Sequence, residues 1–305
     1  MRRLALKCKR LIKGFAPDNP LQSTYNPNGA LDSFPPLPDQ DFMKIATWNI
    51  NSVKARMHAL TAWLDKEQPD VLCLQEIKTV DEGFPRMEIE AMGYNIAVHG
   101  QKSYNGVAIL SKHPFDEVTP RLPGDDSDEQ ARYLEAVIST ENGAVRVASI
   151  YLPNGNPVED GNSAKYLYKL AWLERLRKHA QGLLAYEEPL ILAGDYNVIP
   201  REGDTHDPKS WWGDALYRQE TLNAFHALRH IGLYDMFDQF DGREGQYTFW
   251  DYQGGAWPNN YGIRIDHLLC SPQAIDKAKG ITIDKMVRDG QKPSDHVPVI
   301  GTFDL

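Results

Sequence analysis

Apolar and polar residues alternate with two different periods along the chain, and each period predicts one kind of element. Short apolar runs with strand character are bounded by turn-forming residues such as Gly, Asn and Pro. The predicted strands are 44–51, 71–77, 94–100, 106–112, 133–140, 144–153, 190–198, 264–271, 281–287 and 297–304.

Apolar residues at helical spacing predict three longer segments. The segment 53–68 has Val53, Met57, Leu60 and Leu64 on one face, and a further helix is predicted around 221–232. The longest predicted helix is 163–187, and its apolar side consists of Leu167, Leu170, Leu173, Leu176, Ala180 and Leu183.

The order of these elements indicates the fold class. A turn signal at Glu141, Asn142 and Gly143 predicts an antiparallel hairpin, whereas the helical segments act as long crossovers. Hairpins mixed with crossovers predict an α+β or mixed α/β sandwich, with two packed, mostly antiparallel mixed sheets flanked by helices in four layers. No repeat or linker interrupts 43–305, so we predict one domain there.

The first 42 residues differ in composition from the rest. A basic start is followed by a segment rich in Pro, Asn and Ser, which is not core material. The start lacks the long apolar centre of a secretory signal and the serine content of a transit peptide. We therefore interpret 1–42 as a disordered or mis-assigned N-terminal extension, in preference to a targeting peptide.

Composition narrows the class of protein. The chain has 305 residues, 42% of them hydrophobic, and no apolar run of about eighteen residues that would span a membrane. Three well-separated cysteines argue against a disulfide framework and favour the cytoplasm. The formal charge is −9, and residues 1–42 carry six basic and four acidic residues, so the remainder carries −11. Binding to a polyanion would therefore depend on local cations.

Polar residues recur where the apolar strands end. One alone is usually a turn former, but several in distant strands can meet at one sheet edge. The set comprises Asn49, Asn51, Glu76, Tyr151, Asp195, Asn197, Asp266, Asp295 and His296. Carboxylate and amide oxygens suit hard cations such as Mg²⁺, which bind through one or two carboxylates and substrate phosphate. The pattern therefore predicts a phosphoester site.

Other hydrolytic sites fit less well. No GxSxG motif occurs, and Ser294 lies too close in sequence to Asp295 and His296 to be the expected nucleophile of a triad. The nine histidines show no HExxH spacing of a zinc hydrolase.

Eight motifs together resemble the exonuclease III family of apurinic/apyrimidinic endonucleases, within the endonuclease/exonuclease/phosphatase superfamily. They are KIATWNIN, VLCLQEIK, YNGVAIL, IYLPNGN, LAGDYNVIP, YTFWDY, GIRIDHLL and PSDHVP, and they extend from Met43 to about Asp304. The resemblance implies a DNA repair nuclease that hydrolyses the phosphodiester 5′ to an abasic site. It also implies 3′→5′ exonuclease and 3′-phosphodiesterase or phosphatase activity on duplex DNA.

The resemblance also implies roles for individual residues. Glu76 is the principal ligand of Mg²⁺, for which Mn²⁺ substitutes, and the other metal-site candidates are Asn49, Asp195, Asn197, Asp295 and His296. Asp195 is the base for the attacking water or, alternatively, a second metal ligand. Asn197 and Tyr151 donate to the phosphate. His296 binds a phosphate oxygen, while Asp266 accepts a hydrogen bond from its other ring nitrogen.

DNA contacts follow from the same resemblance. Phe249, Ile263 and Ile265 match positions of an apolar pocket for a baseless sugar, although core packing explains these residues equally well. Arg132 and Asn154 are further DNA-binding candidates. Lys78, Lys102 and Arg264 lie near the motifs, but salt bridges or solvated faces are the preferred interpretation for these three.

One position departs from the family pattern, and two other functions stay open. The family usually has Asp-x-Phe-Arg before the YTFW segment, whereas here Asp238 stands in place of the arginine. The first alternative function is hydrolysis of RNA, phosphoinositide or sphingomyelin by a superfamily relative. The second is DNA binding without catalysis. Double-stranded DNA with abasic sites or 3′ ends is the expected partner of a monomeric protein.

Overall fold

The computed structural model describes residues 42–140, 142–158 and 163–305. The predicted N-terminal extension therefore lies outside the described residues, except for Phe42. The strands are β1 (Met43–Asn49), β2 (Val71–Gln75), β3 (Asn95–His99), β4 (Val107–Ser111), β5 (Phe115–Pro120), β6 (Tyr133–Thr140), β7 (Gly143–Tyr151), β8 (Leu190–Asp195), β9 (Tyr234–Asp235), β10 (Asp266–Cys270), β11 (Ala278–Ile283) and β12 (Val299–Phe303). The α-helices are α1 (Met57–Glu67), α2 (Arg86–Glu90), α3 (Ala164–Leu184), α4 (Gln219–His230), α5 (Met236–Phe240) and α6 (Pro272–Ile275).

The strands form two six-stranded sheets. The first has the order β11-β12-β1-β2-β4-β3, and the second has the order β5-β6-β7-β8-β10-β9. Each sheet contains one parallel pair, β1 with β2 and β7 with β8, and its other neighbours are antiparallel. The predicted pair of mixed, mostly antiparallel sheets is confirmed.

Apolar side chains fill three layers of core. Ile45 and Cys73 from the first sheet pack with Val147 and Ile191 from the second, which joins the sheets face to face. Strands buried on both faces explain why their sequences read as continuous apolar runs. The outer face of the first sheet is covered by α1, and that of the second by α3 and α4, which completes the four layers.

Two helix predictions need correction. Helix α1 begins at Met57 instead of Val53, because positive φ angles at Asn51 and Ser52 turn the chain first. Val53 is nevertheless buried with the α1 core. In α3, Leu167 is 51% exposed and Lys169 is fully buried, so the buried stripe is displaced from the predicted one at this end of the helix. No helix among the described residues is long and apolar enough to cross a membrane.

Candidate active site

The ends of the core strands bring the predicted residues to one edge. In the first sheet, β1 runs parallel to β2, so Asn49 ends its strand beside the end of β2 and Glu76 follows there. In the second sheet, Tyr151, Asp195 and Asp266 occupy one row across β7, β8 and β10. Because the sheets pack face to face, both groups line one cleft.

The Asn49 side chain connects the two sheets at this edge. Its Nδ2 donates to Glu76 Oε1 at 2.9 Å and to Asp195 Oδ2 at 2.9 Å, and its Oδ1 accepts from Asn51 N at 3.1 Å. Asn49 is fully buried. One amide therefore holds two carboxylates that would otherwise repel each other.

A histidine and an aspartate form the second part of the site. His296 Nδ1 lies 2.9 Å from Asp266 Oδ2, and its Nε2 lies 3.8 Å from Asp195 Oδ2. A hydrogen bond at one ring nitrogen fixes the orientation of an imidazole and directs the other nitrogen. The Nε2 of His296 therefore faces the cleft beside Asp195.

The final loop is attached to β1 through Ser294. Its Oγ donates to the Asn49 carbonyl at 2.7 Å and accepts from His296 N at 3.2 Å. Asp295 Oδ1 accepts from Asn51 Nδ2 at 2.9 Å. The serine therefore positions the loop, which places Asp295 and His296 at the cleft.

Three of the site residues adopt left-handed backbone conformations. Asn51 has φ +46°, Glu76 has φ +51° and Asn197 has φ +47°. Such angles are uncommon for residues other than glycine, and they concentrate at functional sites. Asn197 N donates to Asp195 Oδ1 at 2.9 Å, so this turn also orients the Asp195 carboxylate.

Burial and the charges of the cleft shift the pKa values of Asp195 and His296 strongly. Burial raises the pKa of Asp195 to about 7, and the nearby Asp266 charge adds to this effect against the opposing influence of His296. Burial opposes the charged imidazolium of His296, but Asp266 and Asp195 outweigh it and raise its pKa to about 10. Three charged groups in a buried space thus depend on one another.

The pKa values of Glu76 and Tyr151 shift in opposite directions. Burial disfavours ionised Glu76, but the Lys78 ammonium, at 2.8 Å, outweighs it and holds the pKa of Glu76 below its ordinary value. Burial and the charges of Glu76 and Asp195 raise the pKa of Tyr151 well above its usual range. Tyr151 is therefore a neutral hydroxyl donor at physiological pH.

The donor set fits a divalent cation. One atom each from Glu76, Asp195 and His296 lies within 4.8 Å of the others. The two carboxylates are the ligands available at neutral pH, because the raised pKa of His296, about 10, keeps its ring protonated. Opposite ligands of an octahedral Mg²⁺ are roughly 4.2 Å apart, so small side-chain adjustments suffice. Two carboxylates in a cluster with excess negative charge are the chemistry that such an ion neutralises.

A cavity of about 280 Å³ lies over this cluster. Its lining is mostly polar and also includes the apolar residues Phe249, Ile263 and Ile265. The lining comprises Glu76, Tyr151, Asn154, Asn156, Asp195, Asn197, Trp211, Leu216, Phe249, Asp251, Ile263, Ile265, Asp295 and His296. Ile263 and Ile265 are also packed in a small apolar cluster, so these two residues serve the core and the cavity together.

Comparison with known proteins decides the family. A model of the Endonuclease/Exonuclease/phosphatase family matches residues 46–296. The chain belongs to this family. Exodeoxyribonuclease III of Haemophilus influenzae is 32% identical over 268 residues, which cover 86% of this chain and 100% of the relative. This match confirms the predicted assignment to the exonuclease III branch.

Solved structures of family members agree with the fold. An AP endonuclease from Archaeoglobus fulgidus has a TM-score of 0.81 and 33% identity, and the match covers 86% of this chain and 100% of that one. A 3′ phosphatase from Neisseria, bound to a product DNA hairpin, has a TM-score of 0.82 and 34% identity with the same coverage. The roles of individual site residues stay predictions.

The basic candidates occupy different surroundings. The Arg132 guanidinium lies over the Tyr151 ring at 4.7 Å, beside the cleft. Lys78 is paired with Glu76, and Lys102 is exposed. Arg264 is 1% exposed and paired with Asp204 at 2.8 Å, so it is not accessible to a DNA phosphate in this structure. The preferred salt-bridge interpretation of Lys78 and Arg264 agrees with these contacts.

Asp238, the departure from the family pattern, has a structural explanation. Its carboxylate lies 2.8 Å from Arg229 and 3.2 Å from Arg201, and Arg264 is 3.5 Å away. The substituted anion therefore lies among three guanidinium groups, where a further arginine would be repelled.

Sequence reasoning missed four residues that line the cavity. Trp211, Leu216 and Asp251 lie outside the predicted strands and helices, although Asp251 belongs to the YTFWDY motif, and Asn156 is the last residue of the IYLPNGN motif. The NGN sequence was the available signal for Asn156. No periodic pattern marks the other three, because loop residues reach the cleft through tertiary packing.

Proposed function

We propose that this protein is a Mg²⁺-dependent DNA repair nuclease that hydrolyses the phosphodiester bond 5′ to an abasic site. The observation that carries the proposal is that one cavity combines a hydrolytic type of polar lining with apolar side chains. Carboxylates and His296 line it together with Phe249, Ile263 and Ile265, and the Phe249 and His296 ring centroids are 4.9 Å apart. An apolar slot beside a hydrolytic centre suits a flipped sugar without a base, because a normal nucleotide carries a base too large to enter.

The family and the relatives support this substrate class. The chain is a hydrolase of the nuclease type, as its family and relatives indicate. The relatives include an exodeoxyribonuclease, AP endonucleases and a 3′ phosphatase bound to DNA. Double-stranded DNA is therefore the proposed partner, and Arg132 and Asn154 are proposed contacts to it.

The proposed metal site centres on Glu76. Asp295 supplies a further carboxylate, and Asn49 keeps Glu76 and Asp195 in place through its two hydrogen bonds. A bound Mg²⁺ or Mn²⁺ ion supplies positive charge for a phosphate oxygen and for the leaving 3′ oxygen. The acidic protein surface makes such a local charge necessary for binding a polyanion.

The remaining steps belong to side chains of the chain itself. Asp195 accepts the proton of the attacking water as a general base. Its alternative role is that of a second metal ligand. Asn197 and Tyr151 donate to phosphate oxygens as charge develops there, and His296 donates from Nε2 while Asp266 holds the ring.

The same centre supports reactions at DNA 3′ ends. In a 3′ phosphate or a terminal phosphodiester, a phosphorus atom can occupy the same position in the site and be attacked by the same water. We therefore include 3′→5′ exonuclease and 3′-phosphodiesterase or phosphatase activity in the proposal. Duplexes with a recessed 3′ hydroxyl or a 3′ phosphate measure these activities separately from abasic-site incision.

Incision of a labelled duplex with one abasic site tests the function. We expect cleavage 5′ to the lesion in Mg²⁺, a 3′ hydroxyl on the product, and no cleavage in EDTA. Glu76→Gln should lower the rate by at least about 100-fold, since it removes the principal metal carboxylate. An intact duplex is the matched control.

Three results would overturn the proposal. Equal cleavage in EDTA would exclude the metal dependence, and binding without cleavage would indicate a non-catalytic relative. Hydrolysis of only RNA, phosphoinositide or sphingomyelin would indicate a different branch of the superfamily.

A further inference from the structure

Lys169 is a fully buried lysine behind the cleft, on α3. Its Nζ donates to the carbonyl oxygens of Asn154 at 3.0 Å, Asn197 at 2.6 Å and Ala215 at 3.0 Å. An ammonium group has three N–H donors, so the three carbonyls satisfy it completely. Among the described residues, no carboxylate oxygen lies within 4.0 Å of Lys169 Nζ.

The three carbonyls belong to three separate segments that line the cavity. The first two segments are also joined directly, because Asn154 Nδ2 donates to Asn197 Oδ1 at 3.0 Å. The third segment is joined to the first, because Ala215 N donates to Asn156 Oδ1 at 3.1 Å. Ala215 is followed by Leu216, which lines the cavity. Lys169 therefore lies at the point where all three segments meet.

Gly155 gives an independent indication that the chain is built around this lysine. Its φ of +90° is a conformation that side chains rarely adopt. A Cβ at Gly155 would lie 2.8 Å from Lys169 Cδ and 3.1 Å from Ala215 Cβ. The loop thus packs directly on the aliphatic stem of the lysine.

A role in filling the core alone would not need an ammonium group at this position. Removing an ammonium from water is costly, and well-packed apolar residues often replace buried charges without loss of stability. Carbonyl oxygens of three loops, in contrast, can be gathered at one point only by a group with several donors. The choice of lysine is therefore explained by the positions of the loops.

We propose that Lys169 is a positioning residue for phosphodiester hydrolysis, which fixes the segments of Asn154, Asn197 and Leu216 so that the Asn197 amide faces the scissile phosphate. This inference rests on the proposed function. Asn197 Nδ2 also donates to Leu152 O at 3.0 Å, which leaves one amide hydrogen for the substrate. Small displacements of such a donor reduce the rate of the chemical step more than they reduce binding.

Steady-state incision of the abasic duplex tests this role with Lys169→Met, which keeps the length of the side chain and removes the charge. We expect kcat to fall by at least about 10-fold and KM to change less than about 3-fold. Lys165→Met is the matched control, because Lys165 is an exposed lysine on the same helix. It should retain the wild-type kcat and KM.

Hydrogen exchange of the same proteins, read by mass spectrometry, provides a measurement that does not depend on activity. Peptides over 152–156 and 196–199 should exchange faster in Lys169→Met than in wild type, and those of the first sheet should not. If Lys169→Met does not fold, Lys169→Gln, which retains a donor, is measured in the same way.

The two proposals fail in different ways. If wild type and Lys165→Met do not incise the duplex, the proposed function is wrong, and the exchange data still decide whether Lys169 fixes the loops. If they incise and Lys169→Met matches them in kcat, the positioning role is wrong. Unchanged exchange at 152–156 and 196–199 would contradict it as well.

Discussion

Two buried aspartate–histidine pairs involve the adjacent β10 residues Asp266 and His267, and they differ in their neighbours. His296 Nδ1 is 2.9 Å from Asp266, and His267 Nδ1 is 3.1 Å from Asp235. The second pair also contacts a guanidinium, because Arg264 lies 2.8 Å from Asp235. The first pair instead faces further carboxylates in the cleft.

The pKa values reflect this difference. Burial disfavours ionised Asp235, but Arg264 and His267 outweigh it and hold the pKa of Asp235 far below its usual range. Burial raises the pKa of Asp195 to about 7 in the cleft. The buried group of Arg264, Asp204, Asp235 and His267, here called the Arg264 network, is thus neutralised by charges of the protein itself. The cleft, in contrast, retains an excess of negative charge. We infer that the cleft is arranged for a cation and that the network is arranged for stability.

The largest expected effect concerns the Asp235–His267 pair, which also contacts Arg264. Asp235→Asn leaves Arg264 and His267 without their buried anion, so the free energy of unfolding should fall by about 3–5 kcal/mol. Chemical denaturation measures this change. Asp304→Asn, in the half-exposed pair with Lys279, is the control and should cost less than about 1 kcal/mol. Equal effects of the two substitutions would contradict the assigned stability role.

The second effect concerns the pair in the cleft. His296→Asn removes an oriented donor at the phosphate, so the barrier should rise by about 2.7–4 kcal/mol, a hundredfold or more in kcat. The free energy of unfolding should change much less than in Asp235→Asn. Single-turnover incision and denaturation of the same preparation measure both quantities. A stable protein with unchanged kcat would exclude the catalytic role of His296.

A smaller effect is expected for Asp195→Asn without metal. The folded pKa of Asp195 is raised, so its stabilising contribution is full below the unfolded value of 3.8 and is lost as the pH rises through about 7. Asn removes this loss, so above pH 7 in EDTA the variant should be more stable than wild type by on the order of 1 kcal/mol. Thermal unfolding at pH 4 and pH 8 measures the difference, which should vanish at pH 4. A variant less stable than wild type at pH 8 would contradict the excess of negative charge.

The smallest effect is the acid sensitivity of the Arg264 network. Burial opposes ionised Asp204, but Arg264 outweighs it and lowers its pKa, as for Asp235. Their stabilisation is present above the unfolded pKa and is lost as the pH falls through the folded values, at most about 1.4 kcal/mol per pH unit for each group. Denaturation between pH 5 and pH 2 should show a shallower decline in Asp204→Asn than in wild type. Parallel curves would show that Asp204 does not contribute.

Much of the fold and the cleft could be predicted because the strands carry strong patterns. Asp266 and His267 are adjacent, yet strand alternation sends them to different clusters. Arg264, Asp266 and His267 all belong to the GIRIDHLL motif, but only Asp266 was predicted as a site residue, and no pattern indicated the buried partners of Arg264 and His267. Those contacts join residues far apart in sequence, from Asp204 to His267, and only tertiary packing brings them together.

Lys169 shows why contacts between side chains and distant main-chain groups could not be predicted from the sequence. Helical periodicity assigned the buried face of α3 by apolar character, so it selected Leu167, which is exposed, over Lys169. The acceptors that make burial of Lys169 favourable are main-chain carbonyls of distant loops. Main-chain groups have no sequence signal of their own, because every residue carries them.

Crystals soaked in Mn²⁺ test the central claim most directly, since anomalous scattering locates the ion. We predict a peak within about 2–2.5 Å of a Glu76 carboxylate oxygen, on the side facing Asp195, and its loss in Glu76→Gln. A cleft without a peak at millimolar Mn²⁺, or a peak that persists in Glu76→Gln, would contradict the account.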